Sequence, residues 1–259
     1  MIKPYLAPSL KSEPGISHGF FTTAGGVSDG IYATLNCGLG SKDDARHAAE
    51  NRARVAAHLG AHHIITPFQI HSAEVVVADV AWTREAMPRC DAIVTQTPGL
   101  AVGVLAADCA PVLLADPEAR VVAAAHAGWR GAIDGVTDAT IAKMIELGAK
   151  RERIVAAVGP CIGVAAYEVG PEFEARFLAH HPANYQFFER PRKDGKPSAK
   201  PHFDLTGYVV TRLRLGRIAR VDAIEACTFT NESEFFSFRR SQAHKEPDYG
   251  RQISAIVLR

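Results

Sequence analysis

The chain contains no Cys-x-x-Cys pair, no Gly-x-Gly-x-x-Gly or Walker sequence, and no apolar run near the roughly 20 residues of a membrane span. Nucleotide binding through a Rossmann or P-loop turn is therefore unsupported. Cys37, Cys90, Cys109, Cys161 and Cys227 are odd in number and scattered, which argues against a disulfide framework or a closed structural zinc knuckle. Net charge is almost absent: 29 Lys and Arg against 28 Asp and Glu leave +1, so nothing electrostatic calls for a nucleic-acid or acidic-membrane partner. Repeats, low-complexity tracts and convincing linkers are missing too. What remains is 259 residues, 47% hydrophobic and 22% charged, which suits a globular protein with an ample core. One domain over residues 1–259 is expected. The Met1-Ile-Lys-Pro-Tyr5 start has no long apolar h-region, so the expected setting is reducing and cytoplasmic.

Periodicity places the elements. Asp43–Leu59 carries apolar residues at helical spacing, and Ile133–Leu147 forms a second amphipathic helix. Glu172–Ala179 and Leu205–Leu215 read as further helices, the latter with Asp204 as N-cap. Strands are expected at Ile64–Gln69, Val75–Val80, Ala92–Thr95, Val102–Leu105, Val112–Ala115, Val121–Ala125, Ile154–Val158, Ile224–Cys227 and Ile253–Leu258. Hairpin-like pairs alternate with single helices, which predicts an α+β fold with mixed strand order. The polar stretch Pro191–Pro201 reads as a surface loop or a lid.

The chemistry concentrates in Leu105–Asp116 and Val121–Gly131. Two apolar runs flank Asp116-Pro-Glu-Ala-Arg120, a turn signal. A hairpin centred near Pro117–Glu118 would set Cys109 opposite His126, with Cα atoms roughly 4.5–5.5 Å apart. A thiol and an imidazole at that range make either a metal site or a cysteine nucleophile with its base. His126 runs into Ala-Gly-Trp-Arg-Gly131, where glycines permit close backbone approach to a ligand. His71 would complete a His/Cys/His set with one open position, suited to zinc or copper, but spacing alone does not select it over His18 or His244. Asp108 interrupts two core strands. Glu168 sits among loop glycines and is a candidate base, while Glu234–Arg240 is either an amphipathic strand with solvated arginines or an anion-binding fork at Arg239 and Arg240.

These residues fall into ordered motifs: Gly25-Gly-Val-Ser28, Leu35-Asn36, Glu50-Asn-Arg52, Gln69-Ile-His-Ser72, Ala107-Asp-Cys109, Ala124–Gly131, Gly159–Gly163, Tyr167–Gly170 and Phe235–Arg240. Over nearly the whole chain they resemble the YfiH-like family, also called the laccase-domain or multicopper polyphenol oxidase family. The resemblance implies a four-layer α/β/β/α sandwich and a metal site at His71, Cys109 and His126, holding zinc, with copper as the alternative. It implies a purine nucleoside enzyme that phosphorolyses adenosine, inosine, guanosine or methylthioadenosine and deaminates adenosine, working as a monomer or small homo-oligomer. Catalysis would involve Cys109, His126, Asp108 and Glu168, with substrate contacts at Asn36, Trp129, Arg130, Arg239 and Arg240. Thr23 stands where the family pattern has arginine, which would weaken phosphate chemistry unless Arg130, Arg239 or Arg240 supplies it. A metal-free Cys/His hydrolase or amidase acting on a cell-wall precursor, a copper-dependent phenol oxidase and a zinc-stabilised interaction module remain the alternatives.

Overall fold

Every residue of β7 (Ala110–Asp116) and β8 (Val121–Ala127) is buried, because the two strands are covered on both faces. Alternation sends Val112 and Leu114 into one core and Leu113 and Ala115 into another. The computed structural model describes residues 1–193, 196–197 and 200–259. In it, β7 and β8 belong to a six-stranded sheet with β4 (Val75–Val77), β5 (Ala92–Thr95), β9 (Val155–Val158) and β14 (Arg220–Ala223), in the order β14-β9-β7-β8-β5-β4. A five-stranded sheet has the order β1-β2-β15-β6-β3, from β1 (Pro4–Tyr5), β2 (Ile16–Phe21), β3 (His63–Ile65), β6 (Leu100–Ala106) and β15 (Gln252–Leu258). Both sheets mix parallel and antiparallel pairs.

Three cores define four layers. One lies between the sheets, where Phe20, Val102 and Ile256 meet Ile93, Leu113 and Val122. A second joins the five-stranded sheet to α2 (Ala45–Leu59) through Val55, Leu59, Ala101 and Val257. The third sets α3 (Trp129–Asp134), α4 (Val136–Glu146), α5 (Pro171–His180) and α6 (Leu205–Leu215) against the six-stranded sheet. The short α1 (Pro8–Lys11) and α7 (Phe238–His244) complete the helices. Small ladders pair β10 (Phe188–Glu189) with β13 (His202–Phe203), and β11 (Arg192–Lys193) with β12 (Lys196–Pro197). Part of the expected Pro191–Pro201 loop lies outside the described residues. Among the described residues no helix is long and apolar enough to cross a membrane.

Several expectations need correction. The β7–β8 hairpin pairs Asp116 with Val121 and Pro111 with His126, so its centre lies one residue later, between Glu118 and Ala119, and Cys109 does not face His126. The Asp116 carboxylate causes this by accepting the Glu118 and Ala119 amides, which closes a four-residue loop. The helix expected over Ile133–Leu147 breaks into α3 and α4 at Gly135, whose φ of 92° caps one helix and starts the next. The strand at Ile64–Gln69 ends at Ile65, before Pro67, and Val75–Val80 ends at Val77. Strand pairing falls at Arg220–Ala223 rather than Ile224–Cys227. Ser237 accepts the Arg240 amide and caps α7, so Glu234–Arg240 is not a strand. The helix expected over Asp43–Leu59 starts at Ala45 with Asp44 as its N-cap, and Asp204 caps α6 as expected. The unpredicted β2 contains Ser17, His18 and Gly19, which hide an apolar pattern.

Candidate metal centre

Strand pairing brings the starts of β4, β5 and β7 and the end of β8 to one end of the six-stranded sheet. His71 precedes β4, Cys109 precedes β7, and His126 is the next-to-last residue of β8. Cys109 also sits where the chain crosses from the five-stranded sheet, on leaving β6, to the six-stranded sheet, and Asp108 makes that corner at φ 93°. The Nδ1 or Nε2 atoms of the two histidines and the Cys109 Sγ lie within 4.8 Å of one another. Cys109 Sγ is 3.9 Å from His71 Nε2, and the imidazoles meet edge to face with centroids 4.9 Å apart. The proximity predicted from the hairpin is therefore present, by a register shifted from the one predicted. Gly128, at the mouth of the turn after β8, makes room for it. A Cβ there would lie 2.8 Å from His71 Cδ2 and 3.1 Å from Cys109 Sγ.

Sequence reasoning missed the residue that organises this cluster. Asp91, fully buried just before β5, accepts His126 Nδ1 at 2.8 Å and the backbone amides of Ile70, His71 and Ser72. It also accepts the Ser72 hydroxyl at 2.9 Å. One carboxylate thus orients the His126 ring and fixes the turn in which His71 holds φ 60°. Burial alone would raise the Asp91 pKa, but His126 and the Ser72 hydrogen bonds outweigh it and pull it to about 2. As a carboxylate Asp91 only accepts, so His126 carries a proton on Nδ1 and turns Nε2 toward Cys109 and His71. The one local signal was a carboxylate against an apolar strand, Asp91-Ala-Ile-Val-Thr95.

The cluster also sets its own protonation. Burial would raise the Cys109 thiol, yet the two histidines, His126 foremost, bring it down to about 6. Burial would lower His126, but the Cys109 thiolate and Asp91 raise it to about 9. Without a metal, the two are a thiolate–imidazolium pair. Two imidazole nitrogens and a thiolate are a donor set that zinc and copper both accept, with a position left for a ligand. The residues fit a metal.

The cluster opens on a cavity of about 1000 Å³, whose wall also includes Phe68, Trp129, Tyr167, Phe173, Phe238 and Tyr249. Asp108 and Glu168 line it as well, as do Arg84, Arg239 and Arg251. The Asp108 carboxylate is committed, accepting Thr228 Oγ1 and the Arg239 amide at 2.6 Å each. Glu168 pairs with Lys200, which holds its carboxyl below the usual carboxylate range. Three expected substrate contacts lie off this wall. Asn36 is fully buried and bonded to Ser41, Asp43, Gly38 and Arg251. Arg240 donates to the carbonyls of Thr228, Phe229 and Phe235. Arg130 is exposed and stacks over Trp129. Thr23 and Arg240 line a separate cavity of about 260 Å³. Of the rival histidines, His18 accepts the Ala7 amide through Nε2, and His244 is half exposed near Glu246.

The chain is similar throughout to known proteins. A family model described as multi-copper polyphenol oxidoreductase laccase matches residues 17–259. A purine nucleoside phosphorylase of Deinococcus radiodurans is 41% identical over 236 residues, covering 90% of this chain and 86% of the relative. Another, from Corynebacterium glutamicum, is 41% identical over 244 residues, covering 92% and 93%. A solved Neisseria meningitidis protein of the DUF152 family superposes with a TM-score of 0.85 at 33% identity, over 99% of this chain and 98% of the other. Bacillus licheniformis YfiH gives a TM-score of 0.82 at 27% identity, covering 94% and 93%. With its four-layer sandwich and its His/Cys/His cluster, the chain belongs to this laccase-like DUF152/YfiH family.

Proposed function

We propose that this protein is a zinc-dependent purine nucleoside enzyme, with phosphorolysis of nucleosides such as inosine as its main reaction and adenosine deamination as a second. The carrying observation is the convergence of His71, Cys109 and His126 on the wall of an aromatic- and arginine-lined cavity. Its volume is at the upper end of the roughly 300–1,000 Å³ usual for small-molecule sites, enough for a nucleoside with a phosphate beside it. The names of the relatives supply the substrate class.

In this reading His71, Cys109 and His126 hold the metal, and zinc there supplies a Lewis acid that polarises a substrate atom or activates water. Copper is the alternative ion for the same donors. The chain's residues do the rest. Aromatic faces such as Tyr167 and Phe68 stack the purine and exclude water. For phosphorolysis, a phosphate oxygen forms a bond to C1′ as the bond from C1′ to the purine nitrogen breaks, and the base leaves with a proton. Glu168, kept ionised by Lys200, is assigned as the base that takes the proton of the attacking phosphate and passes it on to the departing purine nitrogen. Asp108, with both oxygens occupied, positions α7 and the Cys109 corner instead.

A second reading draws support from Asp91. Cys109, His126 and Asp91 also have the order of a nucleophile, its base and the group that orients the base, as a metal-free Cys/His amidase requires. Metal content of the purified protein, coupled to a nucleoside panel with and without phosphate, tests the proposal. Phosphate-dependent base release by protein carrying about one zinc is the expected result. Full turnover by a metal-free preparation would overturn it, and so would iodoacetamide labelling of Cys109 that is indifferent to chelation.

A further inference from the structure

Phosphate needs fixed cations, and of Arg130, Arg239 and Arg240 only Arg239 lines the large cavity. Among the described residues its other arginines are Arg84 and Arg251. We propose that Arg251 and Arg239 together form an oxyanion subsite for inorganic phosphate, with Asn36 positioning Arg251. The proposal rests on the phosphorolytic reading above.

Arg251 is tethered by four contacts. Its backbone amide donates to Asn36 Oδ1 at 2.9 Å, and its carbonyl accepts the Cys37 amide at 3.0 Å. Its guanidinium stacks 4.0 Å from the Tyr249 ring centroid, and Nη1 donates to the Tyr249 carbonyl at 3.0 Å. The stem runs past Gly38, where a Cβ would come within 3.1 Å of Arg251 Cδ. Of five N–H donors, one is spent on this tether. The nearest acid, Asp248, stands 4.0 Å away and accepts the Tyr32 hydroxyl at 2.8 Å and the Lys42 amide at 2.7 Å. Its charge is therefore shared, and the guanidinium keeps capacity for a second anion.

Arg239 is held in a similar way, donating to the carbonyls of Ala166 and Glu168 and lying 5.5 Å from the Tyr167 ring centroid. Phe238, next to Arg239, packs against Tyr249 with centroids 5.1 Å apart. Both guanidinium forks therefore line the cavity, Arg251 against Tyr249 and Arg239 against Tyr167, and the Phe238–Tyr249 contact ties α7 to the Arg251 segment. Planar forks held before the ligand arrives suit a tetrahedral oxyanion and lose little rotamer entropy on binding it. Arg84, by contrast, is exposed, and among the described residues no tether of this kind holds it. Asn36 is a positioning residue: it touches Arg251, not the cavity.

The test uses the metal-loaded protein with inosine and inorganic phosphate. Arg251→Met should raise the phosphate KM at least about tenfold, with a smaller change in kcat at saturating phosphate and no change in zinc content. Arg251→Lys should fall between, because it keeps the charge and loses the fork. Asn36→Ala should raise the phosphate KM less than Arg251→Met does. Calorimetric titration with phosphate alone should show weaker binding to Arg251→Met and Arg239→Met than to wild type. Unchanged phosphate KM and binding in folded Arg251→Met, or in Arg251→Lys if the first variant does not fold, overturns the subsite. Base release by wild type without phosphate overturns the phosphorolytic reading instead, and the calorimetric arm still decides the subsite.

Discussion

Two histidines in this protein are equally hidden and chemically opposite. His18, on β2, is 5% exposed, and His126, on β8, is 3% exposed. Burial lowers His18 to about 4, leaving a neutral ring that accepts the Ala7 amide. Burial acts in the same direction on His126, but the Cys109 thiolate and Asp91 reverse it and raise the group to about 9. Depth alone therefore does not mark a functional histidine. The partners do: a backbone donor makes His18 a structural acceptor, and two anionic partners make His126 hold a proton that a metal ion would displace.

The largest break in that contrast is Cys109→Ala. It should abolish zinc retention and lower turnover at least about 100-fold, read by elemental analysis and base release, because it removes a ligand rather than its support. His18→Gln should leave the metal untouched. Asp91→Asn comes next: the amide can turn its N–H₂ toward His126, so metal affinity should fall roughly 10- to 100-fold in chelator competition, as for other groups behind a ligand. Gly128→Ala should follow with roughly a tenfold loss, because the new methyl crowds His71 and Cys109, while the melting temperature changes little.

Proton linkage sharpens the contrast further. Metal binding takes the Nε2 proton from His126, so affinity should fall about tenfold per pH unit on acidifying from about 9 toward 6. It should fall more steeply below about 6, where Cys109 is also protonated. Zinc titrations in buffers of different ionisation heats would count the released protons. His18 gives the smallest effect and concerns stability alone. Its folded pKa is depressed, so its contribution is complete above the unfolded value of 6.5 and is lost as pH falls toward 4. His18→Gln should flatten the urea midpoint across that window, and an unchanged slope would refute the assignment.

Much of the site was legible because its parts are local. The thiol and imidazole sit at the ends of adjacent apolar runs, and any hairpin through Asp116–Arg120 brings Cys109 and His126 close, even with the register missed. His71 became a ligand through the family pattern, since no spacing rule separates it from ten other histidines. Asp91, Arg251 and the role of Asn36 were not legible. Each acts through a partner at least 20 positions away, as in Asp91 with His71 and His126, or Asn36 with Arg251. Arg239 and Arg240 show the same limit: adjacent and chemically alike, one lines the cavity and the other is spent on three carbonyls.

By itself, then, the sequence determined the strand-rich α+β character, the burial of β7 and β8 and the closeness of Cys109 to His126. Period-two alternation and turn chemistry act within a few residues and are written in order along the chain. Only the tertiary structure decided which histidine joins them, which nitrogen of His126 faces the thiolate, and which arginines face the cavity. Those outcomes depend on hydrogen bonds and charges between β-strand ends and loops far apart in sequence. Their strengths come from burial that exists only once both sheets have closed on each other.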